Sequence, residues 1–199
     1  MTPVLKRSVA NPNNSISRSM VSMVQSDKEQ LQFNRDLQKL VKMFRLHFKQ
    51  FNKAPPTTCE FYRIGRVLGK GAFGKVNFAM HKLSEQLVAI KSMSKETLQS
   101  EEDLRRRTKL EMGILQQSNH PNVVRLFDTF ETQKHICFVM ELCSGGDLFS
   151  YIKKRRRLKE DVARFFFRQI IEGLAYIHNA KLVVHRDIKL ENILLDATG

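Results

Sequence analysis

A chain of 199 residues with 34 Lys and Arg against 20 Asp and Glu carries a formal net charge of +14, and 42% of it is hydrophobic. That apolar share, with 14 Phe, suffices for a sizeable core. With no run of 18 apolar residues a helical membrane span is excluded, and the opening MTPVLKRSVANPNN lacks the apolar centre of a secretory signal.

Residues 1–25 are rich in Ser, Asn, Val and Met without periodicity and are expected to be a flexible tail. Ser8 and Ser19 each follow an Arg, a pattern common enough that solvated tail is the preferred reading over phosphorylation. The pattern changes at Ser26. Ser26 and Glu29 form a capping box, and Phe33, Leu37, Leu40, Val41, Phe44, Phe48 and Phe51 recur at helical spacing. Lys28, Arg35, Lys39, Lys42 and Lys49 lie mostly off that stripe, and Pro55 and Pro56 bar continuation. A basic amphipathic helix over residues 26–54 suits a membrane surface or a calmodulin-like partner. Packing of its Phe face on the following domain is favoured, because helices gain most of their stability from tertiary burial.

From Phe61 the sequence FYRIGRVLGKGAFGKVNFAMHKLSEQLVAIKSM alternates apolar and polar positions between Gly-rich or polar turns, as in successive antiparallel strands. LRRRTKLEMGILQQ reads as a helix with Leu104, Thr108, Leu110, Ile114 and Leu115 mostly on one side. NVVRLFDTF and HICFVMEL return to strand character. KEDVARFFFRQIIEGLAYIHNA, broadly apolar, predicts a buried helix. Cys59, Cys137 and Cys143 lack Cys-x-x-Cys spacing, which favours reduced thiols in a cytoplasmic or nuclear compartment. His135 near Cys137 has no further ligand cluster, so a thiol on a strand is preferred to a zinc site.

The excess charge is spread along the chain. Residues 1–57 hold ten basic and three acidic side chains, and the remainder holds 24 and 17. Such a surface suits phosphate, nucleic acid or an acidic membrane face. No specific nucleic-acid contact is expected, because no stacking platform or recognised module accompanies the charge. IKKRRRLK at 152–159 reads as a solvated basic face in preference to a nuclear signal.

Gly69, Gly71 and Gly74 form a G-x-G-x-x-G. A dinucleotide fold needs a helix after it, whereas KVNFAMHKL is strand-like. A strand, glycine turn and second strand fit a flap whose backbone can approach phosphate. With VAIK at 88–91 and HRDIKLEN at 185–192, GKGAFGKV resembles the ordered signature of the protein kinases.

That resemblance implies an α+β, protein-kinase-like fold. Its parts are an antiparallel small-lobe sheet with one main helix (58–141) and an incomplete, mainly helical large lobe (142–199). It implies ATP and Mg²⁺ as cofactors. The flap Leu68, Gly69, Lys70, Gly71, Ala72, Phe73, Gly74, Lys75 and Val76 would cover the nucleotide, Lys91 would bind its α- and β-phosphates, and Glu111 would hold Lys91. Met140 would border the adenine pocket, with backbone groups of Glu141 and Cys143 on the adenine edge. Asp147 would reach ribose, and Val76, Ala89, Leu148 and Leu194 would sandwich the ring. Asp187 would align the acceptor hydroxyl, Lys189 would steady the γ-phosphate and Asn192 would hold Mg²⁺. His185 and Arg186 would be structural.

Lys189, two residues after Asp187, matches the serine/threonine pattern. ELCSGGDLFSYI and HRDIKLENILLD look most like the calcium/calmodulin-dependent and AMP-activated kinase group. Acids matching Asp147 and Glu191 would favour protein substrates with an Arg upstream of the target. No D-F-G or A-P-E follows Asn192 in this sequence. The expectation is therefore an inactive piece of a longer kinase, the alternative being a nucleotide- or partner-binding pseudokinase scaffold.

Overall fold

The computed structural model describes residues 5–6, 27–71 and 74–197. The rest of the predicted tail with Ser8 and Ser19, the cap residue Ser26, and Ala72 and Phe73 at the flap tip lie outside them. In chain order the elements are β1 (Leu5–Lys6), α1 (Asp27–Phe51), a 3-10 turn (Cys59–Phe61), β2 (Tyr62–Gly71), β3 (Gly74–His81) and β4 (Leu87–Ser94). There follow α2 (Lys95–Ser100), α3 (Glu102–Gln116), β5 (Leu126–Glu131), β6 (His135–Glu141), β7 (Gly146–Asp147), α4 (Leu148–Arg155), α5 (Glu160–Lys181), a 3-10 turn (Leu190–Asn192) and β8 (Ile193–Leu195). The chain divides into two compact units, Asn13–Lys95 with Asp128–Val139, and Met1–Pro12 with Glu96–Phe127 and Met140–Gly199.

The first unit is built on the expected antiparallel five-stranded sheet, in the order β2-β3-β4-β6-β5. Register decides which side chains share a face, because directly opposed residues point the same way. Asn77 opposes Ile90 and Ala79 opposes Val88 on one face. There Ala79, Val88 and Ile90 form a core with Phe61, Tyr62, Phe130, Cys137, Val139 and Leu40 of α1, and Met43 and Phe44 pack against it. The long helix is thus seated on the sheet. Arg63 adds a cation–π contact, its guanidinium 5.5 Å from the Phe33 ring. Tyr62 stacks on Phe130 with centroids 5.7 Å apart. Burial, helped by the Asp128 charge, pushes its hydroxyl up to about 12.

Two details of α1 depart from the sequence reading. The helix stops at Phe51, short of the prolines, because Asn52 takes a left-handed conformation (φ 50°) and its N–H closes on the Phe48 carbonyl at 2.8 Å. Phe48 and Phe51 are 49% and 52% exposed, so the buried part of the stripe is its middle. Beyond the helix, the Thr57 hydroxyl donates to the Asp128 carboxylate and ties the connection to β5.

The second unit contains α3, α4 and α5 and the three-stranded sheet β1-β8-β7. Leu5 and Lys6, within the predicted tail, pair in parallel with Ile193 and Leu194. On α3 the buried residues are Leu104, Thr108, Glu111, Ile114 and Leu115, whereas Leu110 is 60% exposed. A helical turn of 3.6 residues puts position 111, not 110, beside 104, 108 and 115. The loop after α3 docks on α5: Tyr176 stacks on His120 at 4.8 Å, and its hydroxyl accepts from Asn119 N–H at 3.0 Å.

The expectation of a well-buried final helix is corrected. Only Phe166, Gly173 and Ile177 of α5 are buried, while Phe165, Phe167 and Ile171 are exposed. Its apolar residues encircle the helix, and the described residues cover one side. The cations of the basic string at 152–159 are exposed, as expected of a solvated face. Lys153, Lys154 and Arg155 form the last turn of α4, where cations complement the helix dipole, and Arg156 leaves it with φ 66°.

Candidate active site

The glycine flap is a β2–β3 hairpin with Gly71 opposite Gly74 and Lys70 opposite Lys75. A Cβ on Gly74 would collide with the Ser92 carbonyl oxygen of β4, so close strand packing demands glycine there. Among the described residues, nothing lies within 4 Å of such a Cβ on Gly69, and at Gly71 the nearest atom, the Gly74 carbonyl oxygen, is 3.9 Å away. Packing of the described residues does not ask for glycine at either position, whereas close approach of a ligand would. Lys70 and Lys75 are exposed and directly opposed, an unfavourable pairing that an anion at the flap would relieve.

The second face of the sheet carries the other residues of this unit expected at a nucleotide. Val76 opposes Lys91, Gly69 opposes Val76 from the other side, and Phe78 opposes Ala89. Strand alternation therefore aligns Gly69, Val76, Ala89 and Lys91 on the face away from α1. Lys91 Nζ lies 5.8 Å from the centroid of the Phe138 ring. Phe138, 2% exposed, was missed by the motif reading. Its position two residues before Met140 on a strand was the available signal. Leu68 is 40% exposed beside a register shift in β2.

In the second unit, Glu111 is 4% exposed on the inner side of α3, against the ordinary expectation for a helix-surface Glu. Met140 is 8% exposed at the end of β6. The Glu141 N–H donates to the Arg125 carbonyl at 2.9 Å, so an adenine contact at Glu141 would fall to its carbonyl. Cys143 is half-buried in the following turn. Asp147 opposes Leu194 in the β7–β8 pair, which brings the expected ribose and ring residues together, with Leu148 next in sequence and 2% exposed. Asp147 also caps α4: Oδ1 accepts from Ser150 N–H at 2.7 Å and Oδ2 from the Ser150 hydroxyl at 2.8 Å. Ser150 carries no motif signal, because capping is decided by where the helix begins.

The catalytic-loop residues converge. Asn192 Nδ2 donates to the Asp187 carbonyl and to its Oδ2, both at 2.8 Å, and Lys189 Nζ lies 3.0 Å from the same oxygen. His185 is 1% exposed, and its Nδ1 accepts the Asp187 N–H at 3.3 Å. Arg186 between them has φ 65°, an uncommon backbone state held by neighbours on both sides. Hydrogen bonds from Lys189 and Asn192, then the Lys189 and His185 charges, hold the Asp187 carboxyl below its ordinary value of 3.8. Asp187 is thus an ionised acceptor at neutral pH, suited to orienting a hydroxyl.

The donor set fits a hard cation only with help. Because Asn192 spends its amide nitrogen on Asp187, its side-chain oxygen is the atom turned to other use, and oxygen is what Mg²⁺ takes. Among the described residues no group of three or more His, Cys, Asp and Glu could hold a metal.

A kinase-type flap, lysine strand and catalytic loop are thus present in one chain, and a family model described as protein kinase domain matches residues 62–199. The chain belongs to the protein kinase family. It is 46% identical over 136 residues to serine/threonine protein kinase OSK3 of Oryza sativa subsp. indica, spanning 68% of this chain and 26% of that protein. It is 46% identical over 138 residues to NUAK family SNF1-like kinase 2 of Homo sapiens, spanning 69% of this chain and 22% of the relative. The chain therefore spans about a quarter of the length of the curated relatives it matches.

Proposed function

We propose that the whole protein to which this chain corresponds transfers the γ-phosphate of ATP to Ser or Thr hydroxyls of protein substrates. The observation that carries this reading is the Asp187–Lys189–Asn192 arrangement: an ionised carboxylate held by an amide and an ammonium at 2.8 and 3.0 Å. Asp187 receives and orients the acceptor hydroxyl. Lys189 offsets charge on the transferring phosphoryl, and Asn192 supplies one oxygen to Mg²⁺, which when bound neutralises phosphate charge. Gly69, Gly71 and Lys91 position the triphosphate, since phosphoryl transfer is accelerated mainly by positioning and electrostatics.

The serine/threonine class rests on Lys189, and the rice relative OSK3 is named a serine/threonine protein kinase. A preference for an upstream Arg rests chiefly on Glu191, which is exposed, because both Asp147 oxygens are engaged by Ser150.

The test is phosphate transfer from labelled ATP to Ser, Thr and Tyr peptides, with and without Arg upstream, by the whole protein and its Asp187→Asn variant. Transfer to Ser and Thr that the variant loses supports the reading. Transfer to Tyr alone, or nucleotide binding without transfer, would replace it with a different class or with a scaffold.

A further inference from the structure

Helix α1 has two sides with different chemistry, and only one is used by the fold. Leu40, Met43 and Phe44 seat it on the sheet. At 100° per residue, Lys28, Arg35, Lys39, Lys42, Arg45 and Lys49 all fall on the opposite side, in a sector about 120° wide. All six are exposed, and among the described residues none forms an ion pair. Of the acids in the helix, Glu29 and Asp36 fall within about 40° of the Leu40 direction, away from that sector, and Asp27, its first residue, falls at the sector's edge. Leu31 and Leu46, 54% and 59% exposed, are the apolar members of the cationic side. The result is a basic ridge about 32 Å long with two exposed leucines.

We propose that this ridge docks the protein on an anionic lipid surface, with Lys28, Arg35, Lys39, Lys42, Arg45 and Lys49 at the headgroups and Leu31 and Leu46 entering the interface. Charge complementarity selects the occupant. A row of cations without ion pairs among the described residues, set along one side of a helix, matches a plane of negative headgroups, where each Lys or Arg adds attraction. A calmodulin-like partner needs an apolar helix face, and the one present is committed to Ala79, Val88 and Ile90. Single-stranded nucleic acid needs stacking rings, and the sector contains no aromatic residue. Docking leaves the sheet contact intact, so the kinase reading stands or falls separately.

The experiment is co-sedimentation of the full chain with vesicles of phosphatidylcholine alone or with 30% phosphatidylserine, where the lipid composition is a chosen condition of about that value. Two variants accompany it: Lys39→Glu/Lys42→Glu/Arg45→Glu/Lys49→Glu, and Leu31→Ala/Leu46→Ala. The expected result is serine-lipid-dependent binding that weakens with salt. Charge reversal should lower it at least tenfold and the leucine variant severalfold, with thermal midpoints unchanged because neither set touches the sheet. Equal binding to both vesicle types, or full binding by the charge-reversed protein, overturns the proposal. So does capture of RNA or of calmodulin by this ridge in place of vesicles.

Discussion

Asn192 grips Asp187 twice, donating from one amide nitrogen to the backbone carbonyl and to the carboxylate, both at 2.8 Å. The six-residue stretch Asp187–Asn192 is thereby closed on the carboxylate proposed to meet the acceptor hydroxyl. Asn192→Ala removes both bonds and the oxygen proposed for the cation together. Phosphate transfer by the whole protein should fall about 10²–10⁴-fold, the range for losing a positioned acid–base group. Steady-state kinetics check this, with circular dichroism confirming the fold.

Acid titration of Asp187 should have its midpoint below 3.8, because Lys189 and Asn192 favour the charged form. A depressed carboxyl contributes stability that is complete above the unfolded value and fades as pH falls through the folded one. Carboxyl-carbon NMR reads the midpoint directly. Lys189→Met should move it upward, and an unchanged midpoint would show the contact to be absent in solution.

His81 and His120 add a pH effect in the neutral range. Burial lowers both below 6.5, outweighing the attraction of Asp128 and Glu172 respectively. The unfolded chain then binds more protons than the folded one as pH drops past 6.5, so the thermal midpoint should fall with acidification from pH 7.5 to 5. His81→Asn and His120→Asn should flatten that slope.

The flap glycines should separate by mutation. Gly74→Ala meets the Ser92 carbonyl and should cost about 1–3 kcal/mol in urea unfolding. Gly71→Ala finds no atom closer than 3.9 Å and should leave stability within about 0.5 kcal/mol while weakening nucleotide binding. Fluorescent-nucleotide titration distinguishes the two.

Leu40, 5% exposed, is the residue of α1 most enclosed by the sheet core. Leu40→Ala should destabilise the first unit by about 2–5 kcal/mol, measured by thermal or urea unfolding. Removing α1 entirely should uncover Ala79, Val88 and Ile90 and raise binding of a hydrophobic dye.

The primary sequence was enough to locate the parts whose chemistry is local. GKGAFGKV, VAIK and HRDIKLEN announced a flap, a lysine strand and a catalytic loop, because glycine conformations and ionisable side chains are properties of short segments. The resemblance likewise assigned Val76, Ala89 and Lys91 to one site, and the strand register puts them on one face of the sheet. Tertiary structure alone decided which apolar residues are enclosed. Leu110 looked like core and is exposed, Glu111 is buried in its place, and Phe165 and Phe167 project outward from a helix that reads as interior. Burial depends on what lies against a surface, and periodicity describes only the surface itself. The same reason hid the Ser150 grip on Asp147, whereas the seating of α1 by its apolar side was legible in the helical spacing.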